Sequence, residues 1–89
     1  MSDSAEEREV AWLAMPEKAP VMDQAGDEIG RAEAVLGDKE GDIFHGIVVK
    51  LSRGGQRVEV RADRIPKITT HRIYTDLAAE EVGQLPEYR

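Results

Sequence analysis

The clearest periodicity along the chain lies in RVEVRAD, residues 57–63. Val58, Val60 and Ala62 alternate strictly with Arg57, Glu59 and Arg61. Successive strand side chains point to opposite faces, so this pattern predicts a half-buried strand. The most apolar run, IFHGIVVKL at 43–51, is the best candidate for a central strand, and Gly54-Gly55 in the SRGGQ that follows suits a primed hairpin turn. Upstream, a short apolar piece, Val21-Met22, and a longer one, Ile29 to Leu36, flank the turn-rich DQAGDE. Gly26 can take the positive φ that a tight hairpin needs there, and Gly30, inside the second strand, predicts a bulge or sharp bend. GDKEGD at 37–42 reads as a further turn. Downstream, RIPKITTHRIYT comes in short pieces, with Pro66 breaking any long strand. In TDLAAEEVGQL, Thr75 or Asp76 can cap a helix over about 76–85, which Gly83 weakens and Pro86 stops.

The N-terminal SAEEREVAWLAM fits two periods. Ser4 and Glu7 have capping-box spacing, with Val10, Leu13 and Ala14 on one helical face. Val10, Trp12 and Ala14 equally alternate as a strand would. The preferred reading is a disordered tail over 1–9, then a strand from about Val10 to Met15, ended by Pro16. Residues 10–89 then form one domain that is mainly β: five or six short strands, glycine turns and a short C-terminal helix. So few strands cannot make two covered sheets, which predicts a small β-barrel rather than a sandwich.

Composition narrows the chemistry. The chain has 89 residues, is 40% apolar and has no cysteine, so one small domain must be stabilised by packing and backbone pairing, without disulfides or thiolate metal sites. No apolar run is long enough for a membrane span, and the acidic N-terminus lacks the features of a secretory signal, which predicts a cytoplasmic protein without membrane insertion. The net charge of −6 is unevenly spread: residues 1–49 hold 4 Lys/Arg and 12 Asp/Glu, whereas residues 50–72 hold 7 Lys/Arg and 2 Asp/Glu. A basic middle in an acidic chain is either a solvated face, the commoner case for a charge run, or a local anion-binding or self-complementary one.

Candidate catalytic and metal motifs fail on spacing. From Asp23, a calcium loop would need oxygen ligands at alternate positions, a glycine sixth and an acid twelfth. The chain places Ala25 third, Gly26 fourth and Ala34 twelfth, so DQAGDE reads as a structural hairpin. His45 and His71 lack the spacing of a chelating pair. Ser52 sits in no nucleophile elbow, and no phosphate-binding glycine motif is present. These absences predict no metal site, no cofactor and no enzymatic activity. The basic segment contains no aromatic residue for base stacking, so phosphate contact is the most it offers nucleic acid.

Three stretches together resemble the PRC-barrel family: APVMDQAGDEIGRAEAVLGD, with Gly26, Ile29 and Gly30; GDIFHGIVVKL, with Phe44, Gly46, Ile47 and Val49; and VEVRADRIPKITTHRIYT, with Val60, Ala62, Ile65 and Ile68. WLAM at 12–15 looks like that family's first strand, and the match runs from residue 10 to about 76. The resemblance implies an SH3-like barrel with structural glycines at Gly26, Gly30 and Gly46, used for protein–protein docking, often as a homodimer and without catalytic residues. The expected function is thus a self-associating interaction module docking onto a larger assembly by strand-edge pairing. Arg57, Glu59, Arg61 and Arg64 are its candidate partner contacts. The alternative is an RNA- or ribosome-associated factor using residues 50–72. A small-molecule or metal sensor around His45 ranks behind both.

Overall fold

The structure is a computed structural model that describes residues 6–88. The chain is mainly β. Six strands, β1 (Pro20–Met22), β2 (Glu28–Asp38), β3 (Ile43–Leu51), β4 (Arg57–Arg61), β5 (Lys67–Ile68) and β6 (Ile73–Tyr74), form one mixed sheet in the order β4-β3-β2-β1-β6-β5. All neighbours are antiparallel except β1 and β6, which run parallel through Val21↔Ile73 and Met22↔Tyr74. One short helix, α1 (Ala79–Val82), follows. No helix among the described residues is long and apolar enough to cross a membrane.

The alternation in RVEVR becomes the burial pattern of β4: Val58 and Val60 are buried, with Arg57 and Arg61 exposed. Across the β3–β4 pair, Val49 faces Val58 and Ile47 faces Val60. These four residues belong to a core that also takes Val21 from β1, Ala32 from β2, Leu51 from β3, Ile68 from β5 and Ile73 from β6. Leu77, just before α1, is fully buried in the same cluster.

Two glycines permit the tightest strand contacts. Gly46 has φ 153°, and a Cβ there would run into the Val60 carbonyl oxygen. At Gly30 a Cβ would run into the Lys50 carbonyl oxygen; next to it the β1–β2 register slips, leaving Ile29 as the extra residue of a bulge. Gly26 lies in the β1–β2 turn with φ 88°. Asp23 organises that turn: its buried carboxylate Oδ1 accepts the Ala25 and Asp27 N–H groups at 2.9 and 3.0 Å. An aspartate that bonds to backbone two and four residues on favours a turn over regular structure, so DQAGDE is built as a hairpin connection.

The structure differs from the sequence expectations at both ends. No strand runs from Val10 to Met15; Trp12–Ala14 is a 3-10 turn. Trp12 decides this. Its ring stacks on Phe44 at 5.4 Å, and its indole N–H donates to Asp42 Oδ1 at 3.0 Å, which pulls the chain over the β2–β3 turn. Of the expected disordered tail, residues 1–5 lie outside the described residues, whereas Glu6 to Val10 lie along the β5–β6 end of the sheet. There Val10 N–H donates to Ile68 O and Thr70 N–H to Arg8 O. At the other end the helix is four residues, not ten, and its N-cap is Ala78 rather than Thr75 or Asp76. The Thr75 hydroxyl instead donates to Met22 O, Asp76 pairs with Arg64, and Leu77 is drawn into the core, so helix starts only after them. Glu81 Oε1 accepts from Ala78 N–H, the reciprocal half of a capping box.

Gly46→Ala is expected to destabilise the fold by about 3 kcal/mol or more, because the new methyl must displace backbone. Gly83→Ala, at φ −72° with nothing within 4 Å of its Cβ, is expected to change stability by less than about 1 kcal/mol. Urea unfolding of the two variants checks the contrast.

Candidate interaction surface

The four residues expected to meet a partner cluster around β4, but the structure engages them internally. The outer edge of β4 is not free: Glu59 N–H donates to Pro86 O at 3.0 Å, and Tyr88 N–H donates to Arg57 O at 2.8 Å, with Val58 and Glu87 bridged between them. Strand addition at this edge, the expected mode, would have to displace the chain's own residues 86–88. Alternation reveals which residues lie on a strand, not what lies beside it.

Three of the four side chains are also paired. Arg57 Nε donates to Glu33 Oε1 at 3.0 Å, and this bond holds the Glu33 carboxyl below its usual range. Arg61 approaches Asp63 at 3.7 Å with both groups well exposed, a contact of little energetic weight. Arg64 is the most committed. Its Nε donates to Asp76 Oδ1 at 2.6 Å, and its two terminal nitrogens fork onto Glu81 at 3.0 and 3.1 Å. Those bonds raise the guanidinium pKa and depress that of Glu81, fastening the Ala62–Arg64 3-10 turn to α1. Arg64 is a brace between two elements, and the forked geometry is the strong form of such a pair.

A similar brace holds the other end of the sheet. The hydroxyls of Thr69 and Tyr74 donate to Glu7 Oε2 at 2.6 and 2.8 Å, with Arg72 Nε 3.6 Å away. These hydroxyl bonds, ahead of the Arg72 charge, lower the Glu7 carboxyl pKa, and the shared proton raises that of Tyr74. Lys67 lies over the Tyr74 ring, 5.5 Å from its centroid. Most of the basic segment is therefore compensated within the fold, which weakens its field towards an anionic partner.

Exposed apolar surface lies elsewhere. β1 pairs with β2 only as far as Arg31, with one further bond from Ala32 N–H to Ala19 O. Beyond it, β2 continues to Asp38 against β3 alone. Among the described residues, no backbone partner lies on the outer side of β2 from Glu33 to Gly37. Two shallow grooves of about 290 Å³ each run beside this open edge. One lies between Met15–Lys18 and Ala32–Val35, the other between Trp12–Leu13 and Gly37–Lys39. Val35 lines both, and it and Leu13 remain 42% and 54% exposed, unusual for such side chains side by side. The sequence did carry a signal: AVL at 34–36 breaks the alternation of β2, and β2 is far longer than the β1 piece beside it.

A larger cleft, about 710 Å³, opens between the β1–β2 turn, the β3–β4 turn and α1, where Asp27, Glu28, Glu80 and Arg53 surround Leu51 and Val82. Its buried carboxylate, Asp23, is engaged in building the turn. His45 is exposed on β3, at the point where the β2–β3 register slips. No protein-family model matches the chain, and no curated protein matches it.

The Glu7 brace gives a pH prediction. Its folded pKa lies below the usual 4.5, so its stabilisation is complete above the unfolded value and is lost as pH falls through the folded one. Glu7→Gln is expected to lower the thermal midpoint at neutral pH and to flatten its decline on acidification. Identical acid limbs for variant and parent would mean that the brace contributes nothing.

Proposed function

We propose that this chain is a PRC-barrel-type interaction module, non-enzymatic, that self-associates and docks onto a larger protein assembly. The barrel reading is supported by the core. β4 and β5 stand at opposite ends of the strand order, yet Val58, Val60 and Ile68 meet in one cluster with residues of all the other strands. A single sheet brings its ends to one core by curling, which is the route to a small barrel.

The docking reading rests on one observation: among the described residues, the outer edge of β2 beyond Ala32 has no backbone partner and lies beside exposed Leu13 and Val35, while β4 and β5, the outermost strands, are paired with the chain's own terminal segments. Exposed strand edges are templates for pairing with another chain, and soluble proteins cover or charge those they do not use. Here Ala34, Val35, Leu36 and Gly37 carry no charge and no proline. RNA binding through residues 50–72 gains little, since Arg57, Arg61, Arg64 and Arg72 all face carboxylates within the fold.

Two differently tagged full-length copies, co-expressed, test this function. The second copy is expected to co-purify with the first after nuclease digestion, and to stay bound as NaCl rises from about 50 to 500 mM, since apolar contact is little screened. Association that vanishes on nuclease treatment, or collapses with salt as phosphate contacts do, would move the function to nucleic acid.

A further inference from the structure

We infer that the cleft between the β1–β2 turn, the β3–β4 turn and α1 receives a basic side chain, lysine or arginine, and its apolar neighbour, from a protein on which this chain docks. This rests on the docking reading above and names the chemistry of the docked segment. Three observations carry it.

The first is a buried carboxylate with an unused oxygen. Asp23 is only 4% exposed, and it lines the cleft. Its Oδ1 accepts both turn N–H groups, whereas Oδ2 has no hydrogen-bond partner among the described residues. No fully buried side-chain oxygen or nitrogen among them lacks a partner, so Oδ2 is not sealed in and meets the cleft that Asp23 lines. A carboxylate taken this far out of water is costly unless it is paired. A cation donating to Oδ2 makes that pair, by the stronger, charge-assisted kind of hydrogen bond.

The second is the charge of the lining. Asp23, Asp27, Glu28 and Glu80 line the cleft against a single cationic residue, Arg53. Glu28 is shared with Arg31 at 3.7 Å, but no ion pair among the described residues engages Asp23, Asp27 or Glu80. A cleft dominated by one sign of charge concentrates ligands of the other, and it repels acidic peptides and phosphates. These carboxylates do not converge into a group that could hold a metal ion. Spread acceptors suit instead an ammonium or guanidinium, whose several N–H donors point in different directions.

The third is the apolar floor. Ile29, Leu51 and Val82 lie among these charges, in a cleft whose 710 Å³ is within the range typical of ligand sites. Lysine and arginine carry a cationic head on an apolar stem, so one such side chain satisfies both floor and carboxylates. The cleft has room beyond that side chain, which its apolar neighbour in the partner fills against Ile29, Leu51 and Val82.

The test is an NMR titration of the ¹⁵N-labelled full chain with a capped Val-Lys-Leu tripeptide and with its norleucine analogue, which lacks the charge. The lysine peptide is expected to shift amides of residues 25–29, 52–56 and 79–83, and the norleucine peptide to bind about tenfold or more weakly. Asp23→Asn, which keeps the Oδ1 acceptor, and Glu80→Gln are each expected to weaken the lysine peptide by about threefold or more. Arg53→Ala removes the opposing charge and is expected to tighten binding by about twofold or more, a gain that general damage to the fold does not produce. Thermal midpoints show which variants are folded; should Asp23→Asn unfold, Glu80→Gln and Arg53→Ala decide. Equal binding of the two peptides, or no shift in these segments up to about 10 mM peptide, would overturn the site. Tighter binding of spermidine than of the peptide would replace the docked segment with a free polyamine and overturn it too. Each of these results leaves the docking reading standing, since that reading fails separately, in the co-purification experiment.

Discussion

One sheet with no second layer must bury its apolar face against itself, and the rest of this structure follows from that constraint. Ile47, Val49 and Leu51 of β3 form the middle of a core that residues of the other five strands also reach. A flat sheet would leave Val58 and Ile68 far apart. The sheet bends instead, and its irregularities sit where bending demands them: the slip at Ile29, the extra residue at Glu33 and the extra residue at His45. Gly30 and Gly46 lie against neighbouring backbone near two of these points, where a side chain would hold the strands apart.

Curling leaves edges, and the chain treats them unequally. The N-terminal segment bonds to β5 and its flank through Val10 and Thr70, and the C-terminal segment bonds to β4 through Pro86 and Tyr88. Carboxylates near the same segments add side-chain braces, Glu7 onto Thr69 and Tyr74, and Glu81 onto Arg64. β2 outruns β1, and among the described residues no backbone partner pairs with its outer side from Glu33 to Gly37. The long β2–β3 hairpin therefore carries both the centre of the core at one end and the exposed apolar surface at the other.

The uneven charge of the chain has a structural outcome. The acidic first half and the basic middle meet in the folded state, with Glu33 on Arg57 and Glu7 beside Arg72. Such exposed pairs contribute little stability singly. Their larger consequence is that four of the seven basic residues in 50–72 face carboxylates within the fold.

Local rules carried far in this sequence. Alternation in RVEVR, the apolar run IFHGIVVKL and the turn chemistry of DQAGDE and SRGGQ each concern residues a few positions apart, and each determined a strand or a turn by itself. The mainly β class and the one short helix were legible for that reason. The Val10–Met15 segment was not, because its conformation depends on Trp12 meeting Phe44 and Asp42, thirty residues away. Nor were the neighbours of each strand edge. Whether Arg57 is free or bound, and whether β4 or β2 offers an open edge, is decided by Pro86 and Tyr88 lying on β4 and by β1 stopping short on β2. Those are contacts between distant parts of the chain, and the periodicity of a strand is the same with or without a neighbour beside it.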